Sequence, residues 1–323
     1  MGKPLVVVLG ASGFVGNAVT RELAGRPIRL RLVARRPIEV PANATAEIEV
    51  RSADLTAEGE LARAVQDADA IIHLVAHIQG ASTWRVTEDD TVAERVNLGL
   101  VHDLIAALRQ RQGEPPAVLF SGSMSQVGKP TGGRIIGDEP DLPVTVYDRQ
   151  KLAAEQALEA ATAEGVLRGI TLRLATVYGQ GNGPVALERG VVSAMLRKAF
   201  AGEPLTMWHD GTVARDLVCV DDVARAFAAA LDHADALAGR HWLIGTGLPT
   251  RVGDLFGSIA ELVAEITGKP AVPVISELPD HVDASDLLDF VVGSMAFSEV
   301  TGWAPRVALR SALTRAAAAM ATR

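Results

Sequence analysis

Near the N-terminus, "VVVLGASGFVGNAV" passes from an unbroken apolar stretch into glycines at Gly10, Gly13 and Gly16, and then into an amphipathic run. That order predicts a buried strand, a tight turn and a helix opening at about Phe14. Glycine in such a turn takes backbone angles that other residues avoid, and it lets main-chain N–H groups approach an anion at the positive end of the helix. The stretch therefore predicts a pyrophosphate cradle built from Gly10, Ser12, Gly13, Phe14 and Val15.

The alternation continues. A helix over Phe14–Ala24 precedes "IRLRLVA" and "AEIEV"; a helix over "AEGELARAVQ" precedes "DAIIHLVAH"; a long helix over "TVAERVNLGLVHDLIAALRQR" precedes "AVLFSGS". A helix carrying Tyr147 and one β-branched run, "GITLRLATVYG", complete the pattern. Strands alternating with helices predict βαβ units and therefore an α/β fold on a parallel sheet. After Gly179 the pieces shorten and Gly and Pro become more frequent, which predicts a smaller second lobe. The expected division is a nucleotide-binding domain over 1–179, with returning segments at about 217–247, and a substrate lobe from 180–216 and about 248–323. "RSALTRAAAAMATR" reads as a terminal helix.

Composition narrows the function. With 323 residues, 48% of them hydrophobic, the chain can bury a large core. A net charge of -8 with scattered Lys and Arg argues against a nucleic-acid or anionic-membrane surface, while a local pocket for a phosphorylated small molecule remains compatible. Cys219 is the only cysteine, so no internal disulfide forms, and the opening residues do not read as a signal peptide; a cytoplasmic location is expected. His73 and His77 lie at the end of a buried strand, without clustered acidic or Cys partners, and read as structural or pocket-lining. No metal is expected.

The second strand ends in "LVARRP", where a ribose-binding Asp or Glu would stand in an NAD site. Arg35 and Arg36 occupy that place, and a guanidinium suits a 2′-phosphate, so NADPH is expected over NADH. After the third strand, "SADL" offers Asp54 and Leu55. Asp54 either accepts from the adenine amino group or caps the following helix.

"VYDRQKLAAEQAL" contains one of only two tyrosines, Tyr147, with Lys151 four positions later. On a helix the two share a face. An ammonium beside a phenol favours the phenolate and is expected to lower its pKa toward working pH. The same spacing also fits a solvated helix face, so the surrounding motifs have to decide.

Together "GASGFVG", "SADL", "HLVAH", Asn97, "FSGSMSQVG", "YDRQK", "LRLATVYGQG" and "DGTVARDLVCVDDVA" resemble, in order along nearly the whole chain, the extended short-chain dehydrogenase/reductases. That family contains nucleotide-sugar epimerases, dehydratases and ketoreductases. The resemblance implies a Rossmann domain with a small C-terminal substrate lobe. It implies Ser123, Tyr147 and Lys151 as the catalytic set: Tyr147 gives a proton, Lys151 also holds the nicotinamide ribose, and Ser123 hydrogen-bonds the carbonyl oxygen. It further implies Leu74, Val75, Ala76 and Asn97 along the cofactor and His77 on the substrate side.

The same comparison separates reactions. Dehydratases of the family carry Asp and Glu directly after the hydroxyl residue, whereas Ser123 is followed by Met124 and Ser125. Epimerases that retain NAD are expected to carry an acidic residue where Arg35 stands. "AHIQGASTWR", "SQVGKPTGGRI" and "YDRQKLAAEQAL" look most like actinomycete ketoreductases that reduce the C4 keto group of dTDP-4-keto-6-deoxysugars, often 2,6-dideoxy, for antibiotic glycosylation. In the lobe, Arg215 matches a diphosphate-binding arginine or forms a salt bridge with Asp216 or Asp210; Trp208 stacks on thymine or closes the lobe's core. Two departures stand out. Thr176 replaces the usual Asn, and the second arginine near "DASDLLDF" is missing. An epimerase, a reductase of another small ketone, and an NADP-binding sensor or scaffold remain as alternatives, the intact Ser123, Tyr147 and Lys151 speaking against the last. A homodimer through the helix at 89–111 and the Tyr147 helix is common in the family.

Overall fold

The structure, a computed structural model, describes residues 2–77, 86–129, 133–180, 190–277 and 288–321. The chain opens with β1 (Leu5–Leu9), α1 (Phe14–Ala24), β2 (Arg29–Ala34), β3 (Glu47–Ser52), α2 (Glu60–Val65) and β4 (Ala70–His73). Next come α3 (Thr91–Glu94), a π-turn over Arg95–Gly99, α4 (Leu100–Arg109), β5 (Ala117–Ser123), a 3-10 turn over Met124–Val127 and the short β6 (Arg134–Ile135). α5 (Val146–Ala163), β7 (Arg168–Leu174) and β8 (Thr176–Tyr178) follow. Then come α6 (Val191–Ala201), β9 (Leu205–Met207), β10 (Ala214–Cys219), α7 (Val220–Asp232), α8 (Ala234–Leu237) and β11 (Arg240–Ile244). β12 (Pro249–Arg251), α9 (Val252–Thr267), β13 (Val274–Ser276), β14 (Val291–Val292), α10 (Met295–Thr301) and α11 (Leu309–Ala321) finish the described chain.

Seven strands form one parallel sheet in the order β11-β7-β5-β4-β1-β2-β3. All five residues of β1 are buried, as a strand covered on both faces requires. Its alternation divides the core: Val6 and Val8 join the layer containing Val19 and Phe227, while Val7 and Leu9 join the layer containing Leu104 and Leu158. Consecutive strands run outward from β1 to β2 and β3, then return to its other side as β4 and β5. That reversal opens a crevice beyond the carboxyl ends of β1 and β4, where α/β sheets bind ligands.

A third apolar cluster, including Leu196, Leu205, Phe256, Ile259 and Leu313, joins α6, α9 and α11. It borders a three-stranded sheet, β12-β10-β8. The single strand expected over "GITLRLATVYG" is two. The Ala175 N–H makes the last main-sheet bond, to the Ile244 carbonyl at 2.9 Å, after which Thr176 leaves to pair with Leu217. The long helix expected from residue 91 is likewise interrupted by the π-turn at Arg95–Gly99. That wider turn brings the Asn97 side chain to the backbone of His77, an arrangement common beside functional sites. Among the described residues, no helix is long and apolar enough to cross a membrane.

Candidate active site

At the end of β1, Gly10 has φ +88°, in the region that favours glycine, and an added Cβ would lie 3.1 Å from the Leu74 carbonyl carbon. At Gly16 an added Cβ would collide with the Gly10 carbonyl, so α1 can start this close to the strand only with glycine there. The turn is held by Gly13 N–H donating to the Gly10 carbonyl at 2.9 Å and Gly10 N–H donating to the Val33 carbonyl at 2.9 Å. No side chain caps the α1 N-terminus and its first turn carries no acid. These features fit a pyrophosphate: close backbone, positive helix end and no competing carboxylate. Ser12, Phe14 and Val15 lie on this turn, and Leu74, Val75 and Ala76 follow β4 across the crevice.

Arg35 and Arg36 follow β2 and are exposed. Asp54 is near enough for the Arg35 charge to help hold its carboxyl below the ordinary range, although hydrogen bonds from Thr56 are the larger cause. Its Oδ1 accepts from Thr56 N–H at 3.0 Å and Thr56 Oγ1 at 2.7 Å. Asp54 thus closes the turn after β3 but does not cap the following helix, because α2 begins only at Glu60 with Gly59 as its cap; Leu55 beside it is buried.

The reactive corner is where β5 ends against the start of α5. Thr145 caps α5, its Oγ1 accepting from Asp148 N–H at 3.1 Å. The helix then buries Tyr147, Lys151 and Glu155, spaced one turn apart along the face toward β5. A buried face carrying a phenol, an ammonium and a carboxylate in line is costly unless each meets a partner. Lys151 Nζ donates to the Ser121 carbonyl at 2.8 Å and stands 4.4 Å over the Phe120 ring. Glu155 accepts from Gln126 Nε2 at 2.9 Å and pairs with Arg173 Nη2 at 2.6 Å; Arg173 also holds Asp141 at 2.6 Å. Gln126 reaches back, its Oε1 accepting from Ser123 N–H at 2.8 Å in a capping box. Ser123 and the Tyr147–Lys151 helix are therefore joined through Gln126 and Glu155.

Electrostatics here correct one expectation. The Tyr147 phenol is pushed up, chiefly by burial and secondly by the adjacent Asp148 charge. These outweigh the nearby Lys151 ammonium, which donates to the Ser121 carbonyl, stands over Phe120 and lies 5.8 Å from the Tyr147 ring centroid. Burial instead pulls Lys151 down to about 7. His73, fully buried and edge-on to Phe120 at 5.6 Å, is pulled down to about 3 by burial and by the Lys151 charge, so it stays neutral.

Asn97 Oδ1 accepts from His77 N–H at 2.7 Å while its Nδ2 donates to the His77 carbonyl at 3.2 Å and to Gln150 Oε1 at 2.8 Å. This clamps the segment after β4 against α5. Thr176 opens β8, and Trp208, half-buried, follows β9. Arg215 donates to the Leu288 carbonyl and lies 5.5 Å from the Phe290 ring centroid. Asp216 is engaged elsewhere, accepting from Thr246 N–H, Gly247 N–H and Val292 N–H, and Asp210 accepts from Thr212. Residues 78–85 of "AHIQGASTWR", 130–132 of "SQVGKPTGGRI" and 283–287 of "DASDLLDF" lie outside the described residues.

Sequence reasoning missed Ser125, Gln126, Asp148, Glu155 and Arg173. The Ser-x-x-Gln spacing of Ser123 and Gln126 was a readable capping signal, and Glu155 continues the four-residue step from Tyr147 to Lys151. It also missed a grouping of Glu155, Glu159 and His241, whose ligand-type atoms lie within 4.8 Å of one another; there Glu155 is already paired with Arg173.

A parallel sheet with a glycine cradle at its switch point and a Ser–Tyr–Lys corner beside it defines an enzyme of the Rossmann-like nicotinamide-dinucleotide oxidoreductase class. The chain belongs to the NAD dependent epimerase/dehydratase family, whose profile matches residues 6–245. It is 26% identical over 304 residues to the dTDP-L-rhamnose 4-epimerase of Burkholderia thailandensis, covering 82% of both chains. It is 28% identical over 315 residues to the dTDP-6-deoxy-L-talose 4-dehydrogenase (NAD(P)(+)) of Kitasatospora kifunensis, covering 95% of this chain and 93% of that one. MoeE5, solved in complex with UDP-glucose and NAD, shares the fold with a TM-score of 0.78 at 26% identity over 99% of both chains.

Proposed function

We infer that the protein is an NADPH-dependent ketoreductase acting on the C4 keto group of a dTDP-4-keto-6-deoxy sugar, in deoxysugar assembly for antibiotic glycosylation. The observation that supports this reading is the corner itself, where a buried, protonated Tyr147 shares a helix face with Lys151 and is linked to Ser123 through Gln126 and Glu155; reduction is inferred from it together with the NADPH preference proposed here. A nicotinamide dinucleotide bound across the crevice supplies hydride. Tyr147 donates the proton to the substrate oxygen, Ser123 stands beside that oxygen, and Lys151 stands beside the phenol to bind the ribose hydroxyls. Arg35 and Arg36 suit the 2′-phosphate and thus NADPH. Arg215 is read as a diphosphate ligand and Trp208, His77 and Thr176 as substrate neighbours, with the substrate lobe read over 180–216 and about 248–323. The relatives named for dTDP-sugar epimerisation and dehydrogenation support the substrate class.

Dehydration is disfavoured. Met124 and Ser125 supply neither acid nor base, and the Asp148 carboxylate at this corner is already bound by Ser125 and Thr145. The test is incubation with dTDP-4-keto-6-deoxyglucose and NADPH. Loss of NADPH absorbance with one 4-hydroxy product per cofactor consumed is expected. Interconversion of 4-hydroxy sugars with no net cofactor consumption would replace this reading by epimerisation, and turnover on an unrelated ketone alone would end the sugar assignment.

A further inference from the structure

We propose that buried Asp148 acts through Ser125 as a positioning residue that fixes the hydrogen-bond polarity of Ser123, so that Ser123 meets the substrate oxygen as an acceptor and the resting site is built for an alcohol. The proposal rests on the reading above only in placing a substrate oxygen beside Ser123. It assigns that serine the opposite polarity from the carbonyl-donating role the sequence suggested.

The chain of bonds has one consistent direction. Asp148 is 4% exposed, and a carboxylate only accepts hydrogen bonds. Its Oδ2 accepts from Thr145 Oγ1 at 2.7 Å, and that hydroxyl in turn accepts from Asp148 N–H, which leaves its hydrogen for the carboxylate. Its Oδ1 accepts from Ser125 Oγ at 2.5 Å. A serine hydroxyl has one hydrogen, and that of Ser125 is now spent. In the 2.6 Å contact between Ser123 Oγ and Ser125 Oγ, Ser123 must therefore be the donor. Ser123 Oγ also accepts from Ser125 N–H at 3.3 Å. What remains on Ser123, half-buried at the end of β5, is a lone pair.

A lone pair there receives the hydrogen of a secondary alcohol. It repels a ketone oxygen unless Ser123 turns away from Ser125 and breaks the chain. The ketone is then held by the Tyr147 hydroxyl, and as that proton is delivered the new hydroxyl finds an acceptor in place. The site is thus selective for the reduced ligand before any reaction, which favours a 4-hydroxy sugar over its 4-keto counterpart in the bound state. If Ser125 is removed, Ser123 keeps a hydrogen for the crevice beside its lone pair and can then donate to a ketone as well as accept from an alcohol.

The direct test is neutron diffraction from crystals of the deuterium-exchanged protein without ligand. The expected map places deuterium on Ser123 Oγ pointing at Ser125 and on Ser125 Oγ pointing at Asp148. Deuterium on Asp148, or on Ser125 pointing at Ser123, overturns the proposal. The functional arm uses calorimetry on wild-type and Ser125→Ala protein in unproductive pairings: dTDP-4-keto-6-deoxyglucose with NADP+, and dTDP-glucose as the 4-hydroxy probe with NADPH. Ser125→Ala is expected to shift the ratio of the two dissociation constants by up to about tenfold toward the ketone, the worth of one hydrogen bond gained on that ligand while the alcohol keeps its own. An equal change for both ligands, or none, contradicts the proposal. If neither sugar binds the wild-type protein, the nucleotide-sugar reading falls, and the neutron map alone decides the polarity.

Discussion

Replacing Lys151 by methionine keeps an unbranched side chain in the α5 face while removing its charge. The lysine is 1% exposed, and burial takes it from an ordinary 10.5 to about 7. That drop corresponds to about 5 kcal/mol of folding free energy opposing the native state at neutral pH. Methionine relieves this cost but leaves the Ser121 carbonyl without its donor, which costs about 1–3 kcal/mol. Lys151→Met should therefore stabilise the ligand-free protein by about 2–4 kcal/mol at pH 7 while removing turnover. The sign follows from proton counting. Between pH 7 and 10.5 the unfolded lysine holds a proton that the folded one has lost, so wild-type stability climbs with pH by up to about 1.4 kcal/mol per pH unit. Above the unfolded value the advantage is complete; below the folded value it is gone. The stability difference should shrink across this window and reverse between about pH 8 and pH 10. Urea unfolding of both proteins at four pH values measures it. A difference that stays constant from pH 7 to 10 would refute the idea that burial neutralises this lysine.

Exchanging Arg35 and Arg36 together for serine should lower kcat/KM for NADPH by about 10–100-fold and change that for NADH little, as steady-state kinetics with both cofactors will show. Arg173→Leu takes the guanidinium from buried Glu155, leaving it Gln126 and His241, and should cost about 3–5 kcal/mol in urea unfolding, with part of the loss recovered by adding Glu155→Gln.

The elements that carry the site were legible where local chemistry decides them. Continuous apolar runs marked β1 and β5, and the glycine turn set the start of α1 at Phe14. What escaped depends on the packing of distant segments. Nothing in "GITLRLATVYG" marks Ala175 as the point where one sheet yields to another, because the cause is the end of β11. The π-turn at Arg95–Gly99 is read from Asn97 only once His77 and Gln150 are beside it. Helical periodicity located Tyr147 and Lys151 on a common face, but not that the face is buried, and burial reverses the expected shift of the phenol. Nothing in the sequence marks Asp148 as buried; the third-residue reach to Thr145 and the approach of Ser125 take it inside.

The shared corner of Ser123, Tyr147 and Lys151 is tested most directly by single-turnover hydride transfer in Tyr147→Phe, followed by NADPH absorbance with dTDP-4-keto-6-deoxyglucose. A fall in rate of about 10²–10⁴ with unchanged NADPH affinity is expected for a lost proton donor. A rate equal to that of the wild-type protein would contradict the assignment of the phenol as the acid.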